Sequence, residues 1–402
     1  MSRIVRQLSR FTSNPLRRSA LTILAVCTCL GALPAHSRDI AMNDSTEVAA
    51  RTTQDPFEFL VSEEGVYQSQ VLLQADGSLL LVWVQRRSGN LDLLVARQQP
   101  GEPFSRPLQI NRRDLNGFTG DEARPSVALG TDGTVAVAWT AANNDIMLAV
   151  GSGFGERFKA PVKLNQDEGE AFRTMPSVAL SPDGVAHTVW LDPRDAPEGM
   201  EEPSNLYYAS FAEGAVTEVN LTARQEPTVC GCCRPFIASD EDSTLDIVFR
   251  NANAEGYRDI SRITGTAGAL SIPQPTSPPI WKLNACPSAG PILSGGGVLW
   301  KDGSTGSWRM LWSDDPDVQP AELFPDRSSV DYTFSPRKVS GRPSWVLVGG
   351  RPNGLIVERT AEDWKVVRDD LPRWAASAVV RDDQLILIGN EKGQLYTAVQ
   401  AL

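Results

Sequence analysis

The chain has 402 residues, 41% hydrophobic and 22% charged, a composition that fits a globular protein with a sizeable core. A net charge of −11 excludes the basic face that nucleic-acid binding needs, so no nucleic-acid partner is expected. Two histidines among 402 residues argue against a histidine-rich metal site or a Ser-His-Asp triad.

Arg3, Arg6, Arg10, Arg17 and Arg18 precede an apolar run over 20–33, followed by the small-residue sequence Ala35-His36-Ser37. This is the pattern of a secretory signal over 1–37, and its apolar stretch is too short for a comfortable membrane span. The protein is therefore expected to be exported, periplasmic or extracellular. Leu24-Ala25-Val26-Cys27 is a poor lipoprotein box, because Val is over-large before the cysteine, so lipid anchoring is disfavoured. Removing 1–37 leaves 33 basic and 49 acidic residues, a net −16. One histidine, His187, and four cysteines remain: Cys230, Cys232, Cys233 and Cys286.

Residues 38–54 read as a flexible lead, and 55–402 as one repeat domain. Segments 70–83, 125–139 and 176–190 each combine a strand-like run, an Asp-Gly turn and an alternating run closed by Trp. Asp76, Asp132 and Asp183 each stand seven residues before that Trp. Asp-Gly between alternating apolar stretches is a strong hairpin signal, since Gly accepts the positive φ of a tight turn. Further copies fall at 235–249, with Phe249 in place of Trp, and at 291–300; weaker ones follow at 337–349 and 375–389. Short strands follow each hairpin. The chain is thus all-β, a single β-propeller of four-stranded antiparallel blades, with seven favoured and six the alternative. A β-sandwich, or two stacked β-domains, would also account for evenly spaced short strands. The last unit lacks a fourth strand, which 56–62 would supply, closing the ring.

In a propeller the Asp-Gly turns lie on one face and the segments leading into each blade on the other. The 192–199 and 250–259 loops, the cysteines, and Arg124, Arg173 and Arg234 all fall on this second face, the default site.

Segments 97–107 and 151–162 look like Asp-boxes that have lost their aspartate. An ordered series then runs Trp190-Leu191-Asp192-Pro193-Arg194, Cys230-Gly231-Cys232-Cys233, Phe249-Arg250-Asn251, Arg258-Asp259-Ile260 and Ala285-Cys286-Pro287 to Gly290-Pro291. It resembles a group of exported bacterial sialidase-like propellers carrying C-x-C-C and A-C-P-x-x-G-P, over most of the mature chain. Such a fold does not by itself define an activity. Sialidases proper have six blades, in tension with a count of seven. Phe172-Arg173-Thr174-Met175-Pro176 is similar to the family's F-R-I-P, with Thr-Met in place of Ile. The resemblance implies that Arg124, Arg173 and Arg234, with Arg250 and Arg258, hold the carboxylate of a glycan or acidic small molecule. The alternative is that they pair with nearby acids such as Glu122 and Glu170. A sialidase would also need a tyrosine nucleophile with its carboxylate, for which Tyr257 or Tyr332 with Glu255 are candidates, and an acid, Asp192 or Asp195. The choice between a binding module and an active glycoside hydrolase stays open.

In an oxidising compartment the four cysteines read first as two disulfides, one of them joining Cys286 to the triplet and stapling adjacent blades. The alternatives are a thiolate site for copper or zinc, or a redox role. No other cofactor is expected, since P-loop, dinucleotide and EF-hand patterns are absent. Most tryptophans close blade strands; Trp281, Trp308 and Trp374 are candidates for stacking on a sugar. A cell-envelope protein partner is a further candidate.

Overall fold

The computed structural model describes residues 65–402 apart from 113, 116, 118–120, 197–202, 224–227, 253–254, 283–286, 325–330, 333–335, 352 and 362. The signal-like segment, the 38–54 lead and the closing strand expected at 56–62 lie outside these. Among the described residues no helix is long and apolar enough to cross a membrane.

Among the described residues the strands group into successive antiparallel units, seven in number when the one ten-stranded sheet is divided at the short strand Thr228–Cys230. The first runs Val66–Leu73, Leu79–Arg87, Asn90–Gln98 and Leu108–Gln109 in that spatial order, and its successors repeat the pattern. The seventh has three described strands, Ala375–Arg381, Gln384–Glu391 and Gln394–Ala401. The expected Asp-Gly turns are present. Gly77, Gly133 and Gly184 have φ of 83°, 83° and 80°, and the Asp76 and Asp132 carboxylates accept from the backbone N–H of Ser78 and Thr134 at 2.8 and 2.9 Å.

The second strand of a unit is buried on both faces, which explains its near-continuous apolar run. Leu80, Val82 and Val84 pack toward Val135, Val137 and Trp139 of the second unit. Leu79, Leu81 and Trp83, pointing the other way, pack on Val379, Ile386 and Ile388 of the seventh. The same arrangement joins the second unit to the third, the third to the fourth, and so on to the sixth and seventh. First and last units therefore share a core, and the ring is closed. The first strands face the axis and are cross-linked there: the Ser377 hydroxyl accepts from Val71 N–H at 3.0 Å and that of Ser340 from Leu73 N–H at 2.8 Å. The fold is an all-β propeller.

Two local departures position the site. The strand Thr174–Leu180 is bulged between Thr174 and Ser177, with Met175 at φ 56°. The bulge falls within Arg173-Thr174-Met175-Pro176, and Met175 drops into the core between third and fourth units. The short strand Thr228–Cys230 pairs with Pro203–Ala212 on one side and Leu245–Ala252 on the other. It sews the third and fourth units into one sheet at the cysteines.

His187 is buried mid-strand. Its Nδ1 lies 2.8 Å from the Tyr208 hydroxyl and its Nε2 3.0 Å from Ser181 Oγ. Ser181 donates its single proton to Asp183, so Nε2 carries the ring proton and Tyr208 donates to Nδ1. Burial lowers the pKa of His187, and the ring is neutral in the fold. The unfolded chain binds the proton more readily, so this contribution is complete above the unfolded pKa near 6.5 and is lost as pH falls below it. Denaturant midpoints should fall on acidification from about pH 6.5 to 5. His187→Gln should flatten that slope, and an unchanged slope would contradict the assignment.

Candidate functional site

The lead-in loops of units two to five and the loops after their second strands carry the singled-out residues. They form three charged groups.

The first is centred on the third unit. Arg173 is fully buried, with Nε 3.2 Å from Asp192 Oδ2 and Nη2 paired with Asp167. Arg194 places Nε 3.1 Å from the same Asp192 oxygen and Nη1 2.7 Å from Asp167 Oδ1, and pairs with Glu218. Its guanidinium lies 3.8 Å from the centre of the Tyr207 ring, and the Tyr207 hydroxyl donates to Asp195. Asp192 also accepts from Trp190 Nε1 at 3.1 Å. Burial opposes ionisation of Asp167, but the Asn165 amide and both arginines hold its pKa below the ordinary value. The Tyr207 hydrogen bond does the same for exposed Asp195. Tyr207 is pushed up, first by burial and then by donating to Asp195, so the phenol keeps its proton. Both guanidinium groups are thus neutralised within the protein. Arg173 pairs with acids as the alternative reading held, but with Asp167 and Asp192 rather than Glu170. Phe172, next in the chain, is 56% exposed.

The second group closes the axis. Arg234 donates from Nη1 to the carbonyls of Glu122 at 3.1 Å and Arg124 at 2.6 Å, and from Nη2 to the Pro176 carbonyl. One side chain of the fourth unit therefore ties the lead-ins of the second and third. The Glu122 carboxylate accepts from Gly290 N–H at 3.3 Å, bringing in the fifth. A Cβ on Gly290 would sit 1.9 Å from the Arg234 carbonyl oxygen, the physical reason for glycine in Ala-Cys-Pro-x-x-Gly-Pro. Arg124 is half-buried and takes part through its backbone carbonyl.

The third group surrounds sulfur. Cys230, Cys232 and Cys233 are buried, and their sulfurs lie within 4.8 Å of one another. Cys232 is disulfide-bonded, whereas Cys230 and Cys233 are thiols. Cys286 lies outside the described residues. The expected second disulfide is not formed among the described cysteines: Cys230 Sγ and Cys233 Sγ instead lie in hydrogen-bond contact at 3.9 Å. That hydrogen bond, the Cys232 N–H and the charges of Arg250 and Arg258 draw the Cys230 thiol well below its usual range, while burial and the neighbouring sulfur push Cys233 up. With Cys232 in a disulfide, the triplet offers two thiols, fewer ligands than tetrahedral zinc takes. Buried Arg250 donates to the carbonyls of Arg258 at 2.7 Å and Lys301 at 2.8 Å and lies 4.9 Å from the Trp281 ring centre. Asp259 accepts from the N–H groups of Ile280 and Trp281, both at 3.1 Å, and burial raises its pKa. Arg250 and Arg258 thus sit with the cysteines, a juxtaposition the linear motifs do not reveal.

Of the catalytic candidates, only Asp192 and Asp195 share a cluster among the described contacts. Asp192 is enclosed by two arginines, Asp195 is held by Tyr207, Glu255 is exposed, and Tyr257 bridges through its backbone to Lys282, whose ammonium lies 5.3 Å from its ring centre. Tyr332 pairs through its backbone with Gly350. Of the stacking candidates, Trp281 is fully buried against Trp308, and Trp374 stacks on Tyr396 at 5.7 Å. Asp167, Glu218 and Tyr207 were not singled out from sequence. The signal that would have marked Asp167 is its place six residues before Arg173 in the same lead-in loop.

Known proteins match this arrangement by shape only. An ulvan lyase of a polysaccharide lyase family superposes with a TM-score of 0.50 at 10% identity, over 85% of this chain and 94% of the lyase. The β-propeller domain of the trilobed protease from Pyrococcus furiosus gives 0.49 at 8%, over 84% and 98%, and a Hadza microbial sialidase 0.45 at 11%, over 81% and 77%. These likenesses bear on fold alone. No family model matches the sequence, and no curated protein matches it.

The arginine–acid net carries a stability prediction. Asp192→Ala leaves Arg173 buried without its closest enclosed carboxylate, which should cost about 3–5 kcal/mol in a denaturant titration. A loss under about 1 kcal/mol would mean that Asp167 alone suffices.

Proposed function

We propose that the protein is an exported carbohydrate-binding propeller whose lead-in face takes a neutral glycan. The observation that carries this reading is the exposed ring of Phe172 beside a rigid polar net. Phe172 is the one exposed aromatic among the large exposed apolar side chains of the described residues. A sugar ring stacks on such a face through its C–H groups, while fixed hydroxyl and carboxylate acceptors orient its hydroxyls. The adjoining cluster holds Asp167, Asp192, Asp195 and Glu218 against Arg173 and Arg194, two more negative charges than positive. That balance disfavours a carboxylate ligand and favours neutral hydroxyls. Export rests on the signal-like 1–37 segment. The ulvan lyase of the same fold acts on a polysaccharide, which is compatible with this reading but does not carry it.

A second reading, a sialidase-type hydrolase, would use Tyr207, whose hydroxyl donates to the Asp195 carboxylate.

Titration against a panel of neutral and sialylated oligosaccharides tests the proposal. A neutral glycan should bind, and Phe172→Ala should weaken it roughly tenfold, the ~1.4 kcal/mol of one lost aromatic contact. Binding confined to sialylated glycans, or indifferent to Phe172, would overturn it.

A further inference from the structure

The second strand of the third unit ends in Trp190-Leu191-Asp192, that of the fifth in Trp300-Lys301-Asp302, and the side chains around the two aspartates are arranged alike. Asp192 pairs with Arg194, which also pairs with Glu218 on the fourth strand of its unit. Asp302 Oδ2 lies 2.7 Å from Arg309 Nε, and Arg309 Nη1 lies 3.0 Å from Glu322 Oε2, again on a fourth strand. A cation stands over an aromatic ring beside each net. In the third unit it is the Arg194 guanidinium on Tyr207; in the fifth, the Lys301 ammonium lies 4.3 Å from the centre of the Trp308 ring. Residues 303–308 connect the second strand to the third, so this net stands on the lead-in face, two units from the first.

We propose that the fifth unit carries a second saccharide site, in which Trp308 is the stacking ring and the Asp302–Arg309–Glu322 net with Ser304 is the polar wall. The proposal rests on the reading of the lead-in face as carbohydrate-binding and extends it, since one glycan chain can then be held at two places.

The ring is fixed in advance. Trp308 is half-buried and meets Trp281 edge-on at 6.1 Å between ring centres. A Cβ on Gly303 would lie 2.6 Å from Trp308 Cζ3, so only glycine lets the loop backbone pass this close to the indole. The loop is turned by the Gly306 N–H donating to the Gly303 carbonyl at 3.1 Å. Ring and loop thus lose little freedom when a sugar arrives. The wall is equally fixed, because Ser304 Oγ donates to Asp302 Oδ2 at 2.8 Å and accepts from Arg309 Nη2 at 3.1 Å.

Two observations point to a neutral, hydroxyl-rich ligand. Asp302 Oδ1 and Trp281 Nε1 are buried and have no hydrogen-bond partner among the described residues. An acceptor and a donor of this kind call for a partner from outside the chain, such as a water that bridges to a sugar hydroxyl. The acids Asp302 and Glu322 stand with the cations Arg309 and Lys301, a balance that favours neither sign of ligand charge. Thr305 and Ser307 leave exposed hydroxyl groups on the same loop.

Calorimetric titration of the full-length protein with xylo-, manno-, cello- and arabino-disaccharides counts the sites. The series that binds should give two equivalents per protein, and Trp308→Ala should leave one, which remains sensitive to Phe172→Ala. Affinity for the soluble polysaccharide of that series should fall at least about tenfold in Trp308→Ala, because two linked contacts become one. Trp308→Phe should restore the second equivalent. Thr305→Arg, a bulky change on the exposed loop, should also leave one equivalent and keeps the count decisive if Trp308→Ala does not fold. A single equivalent lost in Phe172→Ala, or two equivalents unaltered by Trp308→Ala and Thr305→Arg, would overturn the second site and leave the third-unit reading standing. A single equivalent lost in Trp308→Ala and indifferent to Phe172 would overturn the third-unit reading instead, and no binding of any series would overturn both.

Discussion

Burial of both faces of every second strand is the constraint on which the structure depends. A strand such as Leu79–Arg87 gives alternate side chains to the units before and after it, so neither unit has a complete core alone. The seven shared cores close on themselves through Val379, Ile386 and Ile388 against Leu79, Leu81 and Trp83. Because the apolar stabilisation is distributed around the ring, the loops on the lead-in face are relieved of core packing and can carry buried charge.

That charge is held by fixed partners. Arg173, Arg194, Arg234 and Arg250 are anchored to carboxylates or backbone carbonyls, and each fixes a different pair of neighbouring segments. Arg234 and Gly290 bring four lead-ins to within hydrogen-bond distance at the axis. The consequence for function is direct. Guanidinium groups that would grip an acidic sugar in an open site are here occupied in building the face. Under the proposed reading, the third-unit cluster offers a ligand an aromatic ring and a surplus of acceptors.

The hairpins were legible in the sequence because their signal is local. Asp-Gly with Trp seven residues on fixes turn type and strand alternation within one segment, and even the weak copies at 337–349 and 375–389 correspond to strand pairs. The site was legible only as a set of residues sharing a face. Partners such as Arg234 and the Pro176 carbonyl are 58 residues apart, and no pattern within either segment encodes the contact. The Thr174-Met175 pair before Pro176 sits in a bulge with Met175 at positive φ, a conformation that no local pattern announces. Spacing in Cys-x-Cys-Cys shows that the sulfurs meet, whereas the oxidation state of each depends on which other sulfur comes within reach after folding.

The central claim is that the lead-in face recognises neutral sugar, Arg173 and Arg194 being neutralised from within. The most direct measurement is the salt dependence of glycan affinity, compared between roughly 50 and 500 mM sodium chloride, a range over which exposed ion pairs are largely screened. The account predicts an affinity for a neutral oligosaccharide that is unchanged across that range. A steep loss of affinity with salt, accompanied by preference for a sialylated ligand, would contradict it.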